Sequence, residues 1–347
     1  MSTKKDKFSA QDIRFMRLAI KLARAKKGFT GDNPSVGCVI VKKDQIISIG
    51  QTGLNGRPHA ETNAINNSFQ NLSGSKMYVT LEPCTHYGQT PPCTNSIIKS
   101  GIDEVIYSIN DIDKKVKGKS FKILNKKNIK VKRGLLKNEV KKLYKSYLVN
   151  RLNKMPYITG KIAVSKNNLI YSENQKRITN KFSEKLTHFL RYKNDAILIT
   201  GKTLNIDNPR LTCRLKGYEK FSPKKIILDR KLEIASKSYI FKNAKTEPTI
   251  IFHNSKNKNK LKILKKQKIH LIRSDLKGKN SFYLKDILKK IYHLGIRNLL
   301  IEGGNKITNS FIKNNLFNEF YLFKSHNKLS KQKKYSSFTS LKLLNRK

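Results

Sequence analysis

The sequence contains few cysteines and no long apolar run, and each shortage excludes a class of protein. Its 347 residues include four cysteines, which are too few for a disulfide framework. A membrane-spanning helix needs about 20 consecutive apolar residues, and no apolar stretch of the sequence comes near that length. The first residues also lack the apolar segment of a signal peptide. We therefore expect a cytoplasmic protein with no membrane partner.

Acidic residues are also scarce, since 23 Asp and Glu face 74 Lys and Arg and the formal net charge is +51. Such an excess normally indicates binding to nucleic acid. The lysines are nevertheless spread along the chain, as at Lys224, Lys265 and Lys289, and the lysine-rich tracts 255–268 and 324–334 are not interleaved with aromatic platforms. We predict a solvated surface that binds no specific nucleic acid, with weak and salt-sensitive binding in vitro.

One group of residues has the pattern of a catalytic metal site. His59 opens the sequence His-Ala-Glu, and Cys84 and Cys93 follow with eight residues between them. One imidazole and two thiolates fill three positions of a zinc tetrahedron and leave the fourth for water, whereas a structural site usually has four protein ligands. Glu61 lies two residues after the histidine, where its carboxylate could carry a proton from that water to a leaving amine. The pattern predicts hydrolytic deamination.

The order His-x-Glu followed by Pro-Cys is that of zinc nucleobase deaminases. Those enzymes usually have two residues between their cysteines, so the longer spacing here leaves alternatives open. A nucleic-acid base deaminase would share the ligands and explain the charge, but it has no use for a second enzymatic domain. A basic nucleic-acid-binding protein without activity would explain the charge alone.

Residues 1–150 predict an α/β/α sandwich. Ser9 and Asp12 form a predicted capping box at the start of a helix, and the β-branched runs 36–41 and 46–49 predict a hairpin. The elements predicted next are a helix from His59, a strand over 77–81, a helix from Cys93 to Gly101 and a strand over 104–108. The predicted ligands would therefore lie at helix N-termini, where the helix dipole favours thiolates.

Residues 151–347 predict a second α/β domain. A lysine-rich helix over 137–153 precedes it, and its predicted strands cover 157–164, 195–199, 225–228, 249–252 and 298–301. The last strand runs into Glu302-Gly303-Gly304-Asn305 and a helix from about Ile307. Paired glycines at a helix start let backbone amides approach a phosphate, as in dinucleotide sites, although they are also common in plain tight turns.

Several segments together resemble the bifunctional deaminase/reductase family of bacterial riboflavin biosynthesis. The segments are Asn33-Pro-Ser-Val-Gly-Cys-Val-Ile-Val, Pro58-His-Ala-Glu, 80–93, 195–201, Thr203, Asp207-Asn-Pro-Arg-Leu-Thr-Cys-Arg and Glu302-Gly-Gly. The resemblance implies a cytidine-deaminase-like α/β/α zinc domain followed by a dihydrofolate-reductase-like α/β domain. It also implies zinc-dependent deamination of diaminohydroxyphosphoribosylaminopyrimidine, then NADPH-dependent reduction of the ribosyl group to ribityl.

The same resemblance gives roles to residues of this sequence. Zinc would be bound by His59, Cys84 and Cys93, the catalytic proton shuttle would be Glu61, and the pyrimidine substrate would contact Asn33. The substrate of the reduction would be bound by Arg191, Asp207, Leu211, Arg214 and Glu302. NADPH would be bound by Lys161, Thr203, Gly304, Asn305, Lys306, Ile307, Thr308, Asn309 and Ser310. We also expect a homo-oligomer.

The sequence departs from the family pattern at several places. The usual Ser-x-Asp-Gly is Ser-Lys-Asn-Asn from Ser165, a usual tryptophan is Arg177, and the usual Pro-Asn-Pro after Asp111 is Ile-Asp-Lys. After Glu319 the sequence becomes polar and rich in lysine where the family would have further core strands. These departures leave the predicted zinc ligands and Glu61 unchanged, and most of them concern the reductase.

Overall fold

The computed structural model describes residues 8–113, 115–172, 178, 180–278, 280–331 and 335–340. The chain divides between Asn153 and Lys154 into two compact units. Both have mixed α/β architecture, as predicted. Among the described helices, none is both long enough and apolar enough to cross a membrane. The departures at Lys114 and Arg177 lie outside the described residues.

The described part of the first unit contains six α-helices and five strands. The helices are α1 Ala10–Lys26, α2 Ala60–Asn66, α3 Cys93–Ser100, α4 Lys119–Asn125, α5 Lys137–Leu143 and α6 Lys145–Asn153. The strands are β1 Gly37–Lys42, β2 Gln45–Gln51, β3 Lys76–Leu81, β4 Glu104–Ile109 and β5 Lys130–Arg133. The strands form one sheet in the order β2-β1-β3-β4-β5, in which β1 runs antiparallel to both neighbours and β3, β4 and β5 are parallel.

Helices α1 and α2 pack on opposite faces of this sheet. A Cβ at Gly37 would overlap the backbone of Ala19 in α1, and a Cβ at Gly50 would overlap the backbone of Ala60 at the start of α2. Gly50 pairs with Cys38, the neighbour of Gly37, and successive residues of a strand point to opposite faces. The predicted α/β/α sandwich is therefore confirmed, and both glycines are needed because the helices lie so close to the strands.

The predicted start of α1 and the predicted hairpin are also confirmed. Ser9 and Asp12 form a reciprocal capping box, and the Tyr78 hydroxyl donates to Asp12 Oδ1 over 2.7 Å, which ties the start of α1 to β3. The hairpin turn places Lys43 and Asp44 at positive φ angles of 49° and 60°, as a two-residue turn between twisted strands requires.

The single helix predicted over 137–153 is instead two helices, α5 and α6, separated at Tyr144. This side chain is buried in the core, where its hydroxyl donates to the Ser35 carbonyl oxygen over 3.1 Å and lies 2.7 Å from Thr80 Oγ1. Tyr144 has φ −91° and ψ 11°, outside the helical range. These tertiary contacts outweigh the helical propensity of the lysine-rich sequence.

The described part of the second unit contains six α-helices and eleven strands. The helices are α7 Lys181–Tyr192, α8 Gly201–Asp207, α9 Tyr239–Asn243, α10 Lys258–Lys266, α11 Leu284–His293 and α12 Asn305–Lys313. The strands are β6 Tyr157–Val164, β7 Leu169–Ser172, β8 Ala196–Thr200, β9 Lys224–Leu228, β10 Thr249–His253, β11 His270–Arg273, β12 Leu276–Lys277, β13 Ser281–Phe282, β14 Asn298–Ile301, β15 Glu319–Lys324 and β16 Tyr335–Ser337.

Seven of these strands form a parallel sheet in the order β11-β10-β9-β8-β14-β6-β15. Thr200, the last residue of β8, and Glu302, the residue after β14, lie at the carboxyl edge of neighbouring strands. Ligands of open α/β sheets bind outside this edge, so the sheet brings the predicted reductase residues to one side of the unit.

The departures near β6 and after Glu319 have structural explanations. Asn168 replaces a glycine at φ 61°, a left-handed conformation that asparagine tolerates. The amide of Asn167 accepts from the Leu329 backbone N–H over 3.0 Å and donates to the Leu329 carbonyl oxygen over 2.8 Å. The described part after Glu319 does contain strands. The apolar run 320–323 lies in β15, which joins the sheet beside β6, and β16 pairs with β7.

Candidate functional site

The three predicted metal ligands lie at the ends of secondary-structure elements of the first unit. His59 is the N-cap of α2, and Cys93 is the first residue of α3. Cys84 follows β3 after Glu82 and Pro83, and its carbonyl oxygen accepts hydrogen bonds from the backbone N–H and the hydroxyl of Thr94, both over 3.2 Å. The helix starts and the strand end therefore place all three side chains together.

The donor atoms of these residues converge as a single metal ion requires. They all lie within 4.8 Å of one another, and they form the only such group of His, Cys, Asp and Glu side chains in the described part of the chain. His59 Nδ1 lies 3.2 Å from Cys93 Sγ and 3.5 Å from Cys84 Sγ. Zinc bonds of about 2.1 Å to nitrogen and about 2.3 Å to sulfur at a tetrahedral angle would separate these atoms by about 3.6 Å. The nitrogen and sulfur donors therefore fit zinc.

The surroundings of Cys84 favour its thiolate form. Hydrogen bonds from the Cys93 thiol and from His59 lower the pKa of Cys84, although burial opposes the shift. The backbone N–H of Cys93, at the start of α3, donates to Cys84 Sγ over 3.2 Å. A thiolate is the form of cysteine that binds a metal. The first turn of α3 therefore favours the metal-binding form of Cys84.

Glu61 lies in the first turn of α2 and is only 4% exposed. Burial raises the pKa of its carboxyl group to about 7, while the positive charge of His59 opposes the shift and the thiolate of Cys84 adds to it. A carboxyl group that titrates near neutral pH can both accept and release a proton under the conditions of catalysis. Its chemistry therefore suits the role predicted for it.

Arg57 and His86 flank the ligands and hold polar atoms with no partner among the described residues. These atoms are Arg57 Nε and His86 Nδ1, both inaccessible to solvent, and Arg57 Nη1 also donates to Thr90 Oγ1. His86 does not belong to the metal-binding group. Arg57 was not predicted from the sequence, although its position two residues before His59 could have indicated it.

Asn33, predicted to contact the pyrimidine, supports the loop that leads to His59. Its Nδ2 donates to the Gly56 carbonyl oxygen over 3.1 Å. Gly56 has φ +92°, and a Cβ there would collide with the Asn33 side chain and lie 2.8 Å from the Thr30 carbonyl oxygen. Only glycine fits this turn, and half-buried Asn33 is fixed against it.

In the second unit, three predicted residues meet in one ion-pair network. Arg191 Nε donates to Glu302 Oε2 over 3.0 Å and Arg191 Nη2 to Glu302 Oε1 over 2.9 Å, while Lys161 Nζ lies 3.4 Å from Oε1. Burial acts to raise the pKa of Glu302, but Arg191 and Lys161 outweigh it and the net shift is downward. The carboxylate is therefore held ionised at the carboxyl edge of the sheet.

Beside this network lies a cavity of about 370 Å³ that carries positive charge. Its lining consists of Arg191, Pro209, Arg210, Leu211 and Arg214. Burial and the neighbouring guanidinium groups of Arg191 and Arg210 lower the pKa of Arg214, so the site would gain from binding an anion. Guanidinium groups bind phosphate with paired hydrogen bonds.

The residues predicted to bind the reductase substrate do not all line this cavity. Asp207 is exposed at the end of α8 and is not part of the lining, whereas Leu211 is buried in it at a φ of 59°. Two residues here, Arg210 and His188, were not predicted from the sequence. His188 Nδ1 accepts from the Arg214 backbone N–H over 3.2 Å. The first lies within the quoted 207–214 segment, but the second is distant in sequence and carries no local signal.

The predicted cofactor residues surround the start of α12. A Cβ at Gly303 would overlap the side chain of Ile307, and a Cβ at Gly304, the N-cap, would lie 3.5 Å from Thr203 Oγ1. The side-chain Nδ2 of Asn305 donates to the Ser337 carbonyl oxygen over 2.6 Å. Glycines that leave the first-turn amides open suit a phosphate.

The residues of α12 differ in what they could offer to a cofactor. Lys306 is exposed, and Asn309 donates to Asn305 Oδ1 over 2.7 Å. Ile307 and Thr308 are buried at 6% and 1% exposure, so their side chains face the core. Only their backbone could take part in binding. Ser310, on the second turn, donates to the Lys306 carbonyl oxygen over 2.9 Å.

Two protein families match the chain, one in each unit. Residues 9–109 match the cytidine and deoxycytidylate deaminase zinc-binding region, and residues 156–325 match the RibD C-terminal domain. The first match contains all three candidate ligands and Glu61. The second contains the ion-pair network, the arginine-lined cavity and α12.

Whole-chain relatives agree with both matches. The chain is 37% identical over 314 residues to the riboflavin biosynthesis protein RibD of Aquifex aeolicus, covering 90% of this chain and 86% of that protein. It is similar to the structure of a diaminohydroxyphosphoribosylaminopyrimidine deaminase/5-amino-6-(5-phosphoribosylamino)uracil reductase of Thermotoga maritima. The identity is 32% and the TM-score 0.80, and the match covers 94% of this chain and 90% of that one. The RibD structure of Acinetobacter baumannii matches with 28% identity and a TM-score of 0.81, over 92% of this chain and 88% of that one.

Proposed function

Because this chain belongs to the RibD family of bifunctional riboflavin-biosynthesis enzymes, we propose that it acts on the two substrates named for its Thermotoga relative. It is a deaminase and a reductase, with a zinc-binding deaminase domain and a reductase domain, for which NADPH is the cofactor we propose. The deaminase would act on diaminohydroxyphosphoribosylaminopyrimidine, and the reductase would convert the ribosyl group of the product to ribityl. We assign these activities to 1–150 and 151–347, supported by the division of the chain between Asn153 and Lys154.

One observation carries the assignment of the deaminase site: three donors of zinc type converge within 4.8 Å beside a buried carboxylic acid. In the proposed mechanism, His59, Cys84 and Cys93 would hold zinc, which when bound would supply activation of a water molecule. Glu61 accepts a proton at its carboxylate and passes it to the leaving amine. Asn33 and the loop around Gly56 orient the pyrimidine ring.

The reductase would use the second unit mainly to bind and orient its reactants. NADPH supplies the hydride, which would go to the anomeric carbon of the sugar after ring opening. We propose that the cavity of Arg191, Arg210 and Arg214 binds the ribose phosphate, with Glu302 fixing Arg191 in place. The cofactor would contact Lys161, Thr203 and the start of α12.

The alternatives drawn from the charge do not account for a reductase domain. Ammonia release from the pyrimidine substrate, compared with release from single-stranded DNA or RNA, tests the deaminase assignment directly. We expect activity on the pyrimidine alone, and NADPH oxidation once the deaminated product is present. Release of ammonia from nucleic acid at a comparable rate would contradict the proposal.

We further propose that the protein works in the cytoplasm as a homo-oligomer with a small pyrimidine substrate as its partner. The names of the relatives support the small pyrimidine substrate. Light scattering of the purified protein at several concentrations would measure the oligomeric state, and a monomer throughout would refute that part of the proposal.

The two activities should respond separately to substitution. Glu302→Ala should lower NADPH oxidation by about 100-fold, because Arg191 and Lys161 lose the carboxylate that positions them. Asp207→Ala should also impair NADPH oxidation, and both variants should release ammonia at a nearly unchanged rate. Glu61→Gln should still reduce pre-deaminated substrate.

Glu247→Ala is the matched control for Glu302→Ala. Half-buried Glu247 forms an ion pair with buried Lys225 at 2.7 Å, elsewhere in the same unit. We expect this control to lose stability but to keep most NADPH oxidation per folded protein. Loss of both activities in a folded Glu61→Gln protein would instead indicate one composite active site.

The positive charge should affect nucleic-acid binding but not turnover. Retention of DNA or RNA should be independent of sequence and should weaken steeply between about 50 and about 200 mM salt, because it depends on counterion release. Replacing exposed Lys224, Lys265 and Lys289 with Glu should reduce retention while turnover stays close to wild type. Filter binding and steady-state assays measure both, and salt-resistant binding to one particular RNA would show that the charge forms a specific site.

A further inference from the structure

Glu82 is a buried carboxylate two residues before the candidate ligand Cys84. It is only 3% exposed, and its oxygens accept four hydrogen bonds. Oε2 accepts from the backbone N–H groups of Asp111 over 3.2 Å and Gly118 over 3.0 Å. Oε1 accepts from the backbone N–H of Ser120 over 3.2 Å and from its hydroxyl over 2.9 Å. All four donors belong to one segment, 111–120, which follows β4 and ends in the first turn of α4; its described residues are 111–113 and 115–120.

The same segment contacts the loop that carries Cys84. Thr85 Oγ1 donates to the Lys115 carbonyl oxygen over 3.1 Å, just after the ligand. On its other side, Asp111 Oδ1 accepts from the Tyr147 hydroxyl over 3.0 Å, so α6 fixes the start of the segment. The segment is therefore anchored in the core and bonded to the chain on both sides of Cys84.

Cys84 is consequently held from two directions. Thr94 in α3 binds its carbonyl oxygen, and Glu82 binds the chain before it to the 111–120 segment. Among the described residues, Glu82 forms no ion pair, so backbone and hydroxyl donors alone stabilise its buried carboxylate. Glutamine in its place would direct an NH₂ group at N–H donors and leave some of them unpaired.

We propose that Glu82 is a positioning residue of the deaminase site. Through the 111–120 segment it fixes where Cys84 lies relative to His59 and Cys93, and it thereby sets how tightly the three ligands hold zinc. Replacing a group that orients a metal ligand without binding the metal typically lowers metal affinity by about 10-fold to 100-fold. The inference rests on the proposed zinc site and adds a residue that does not touch the metal.

The test measures zinc release from full-length, zinc-loaded protein to a chromogenic chelator. Glu82→Gln should release zinc about 10-fold to 100-fold faster than wild type. The matched control is Glu104→Gln. Glu104 is also buried, at 7% exposure, and pairs with Lys132 at 3.0 Å, but it lies at the start of β4, whereas Glu82 follows the end of the parallel strand β3. The control should release zinc at the wild-type rate despite losing a buried carboxylate.

A spectroscopic readout separates positioning from loss of stability. With cobalt in place of zinc, Glu82→Gln should shift the visible absorption bands, because these depend on ligand geometry. Glu104→Gln should leave them unchanged. NADPH oxidation in the same chain should be normal in both variants, which confirms that each is folded and active elsewhere. If Glu82→Gln does not fold, Ser120→Ala removes one hydroxyl donor only and should speed zinc release to a smaller extent.

The outcomes distinguish this inference from the proposed function. Equal zinc release from Glu82→Gln and Glu104→Gln, with unchanged cobalt spectra, would overturn the role of Glu82 and leave the metal site intact. If Glu82→Gln does not fold, zinc release from Ser120→Ala at the wild-type rate would have the same meaning. Wild-type protein that takes up no stoichiometric zinc would overturn the site itself and the role of Glu82 with it.

Discussion

Glu61→Gln is expected to keep its zinc and to lose deaminase activity by about 100-fold to 10,000-fold, the usual contribution of a general acid/base group. The amide preserves the shape of a side chain that is 4% exposed in the first turn of α2, so the fold should tolerate the change. It removes the group whose pKa burial raises to about 7. Ammonia release per bound zinc is the measurement, with elemental analysis of the same sample.

The control for this variant is a second buried carboxylate in the same unit. Glu104→Gln removes a comparable acid, and we expect its ammonia release to stay close to wild type. A Glu61→Gln protein that retained more than half of its activity with zinc bound would show that another group carries the proton.

Cys84→Ser and Cys93→Ser are each expected to release zinc and to lose deamination completely. A hydroxyl is a far poorer ligand than a thiolate for this borderline-soft ion, and two remaining ligands do not hold it. Elemental analysis after gel filtration measures the loss. Cys38→Ala tests whether any buried cysteine of the unit has this effect, because Cys38 lies in β1 outside the metal-binding group.

Two further outcomes make the test of the ligands decisive. Cys38→Ala and His86→Ala should both retain stoichiometric zinc, since neither residue belongs to the group of converging donors. Stoichiometric zinc in both serine variants would rule out the ligand set, and zinc loss in His86→Ala would add His86 to it.

Local sequence signals predicted much of the fold but not its long-range pairing. The capping box at Ser9, the hairpin turn at Lys43 and the helix starts at His59 and Cys93 each depend on a few neighbouring residues. The strand order β2-β1-β3-β4-β5 depends instead on contacts between distant segments, for which periodicity carries no information.

The same distinction applies to the candidate sites. The zinc ligands could be predicted because their residue types and order are specific to one chemistry. Glu82 could not, because its four donors lie 29 to 38 residues away and backbone amides leave no signature in a sequence. Arg191 and Glu302 are 111 residues apart, so only the family resemblance brought them together before the structure did.

The contacts of Tyr144 determine how much of the chain a deaminase fragment would need. Val140, Leu143 and Tyr144 belong to the hydrophobic core of the first unit, and the Tyr144 hydroxyl bonds the chain just before β1. The region that matches the deaminase family ends at residue 109, well before these residues. A fragment cut at that point would lose part of its core and expose the sheet, so the boundary of the sequence family is not the boundary at which this unit could be expressed alone.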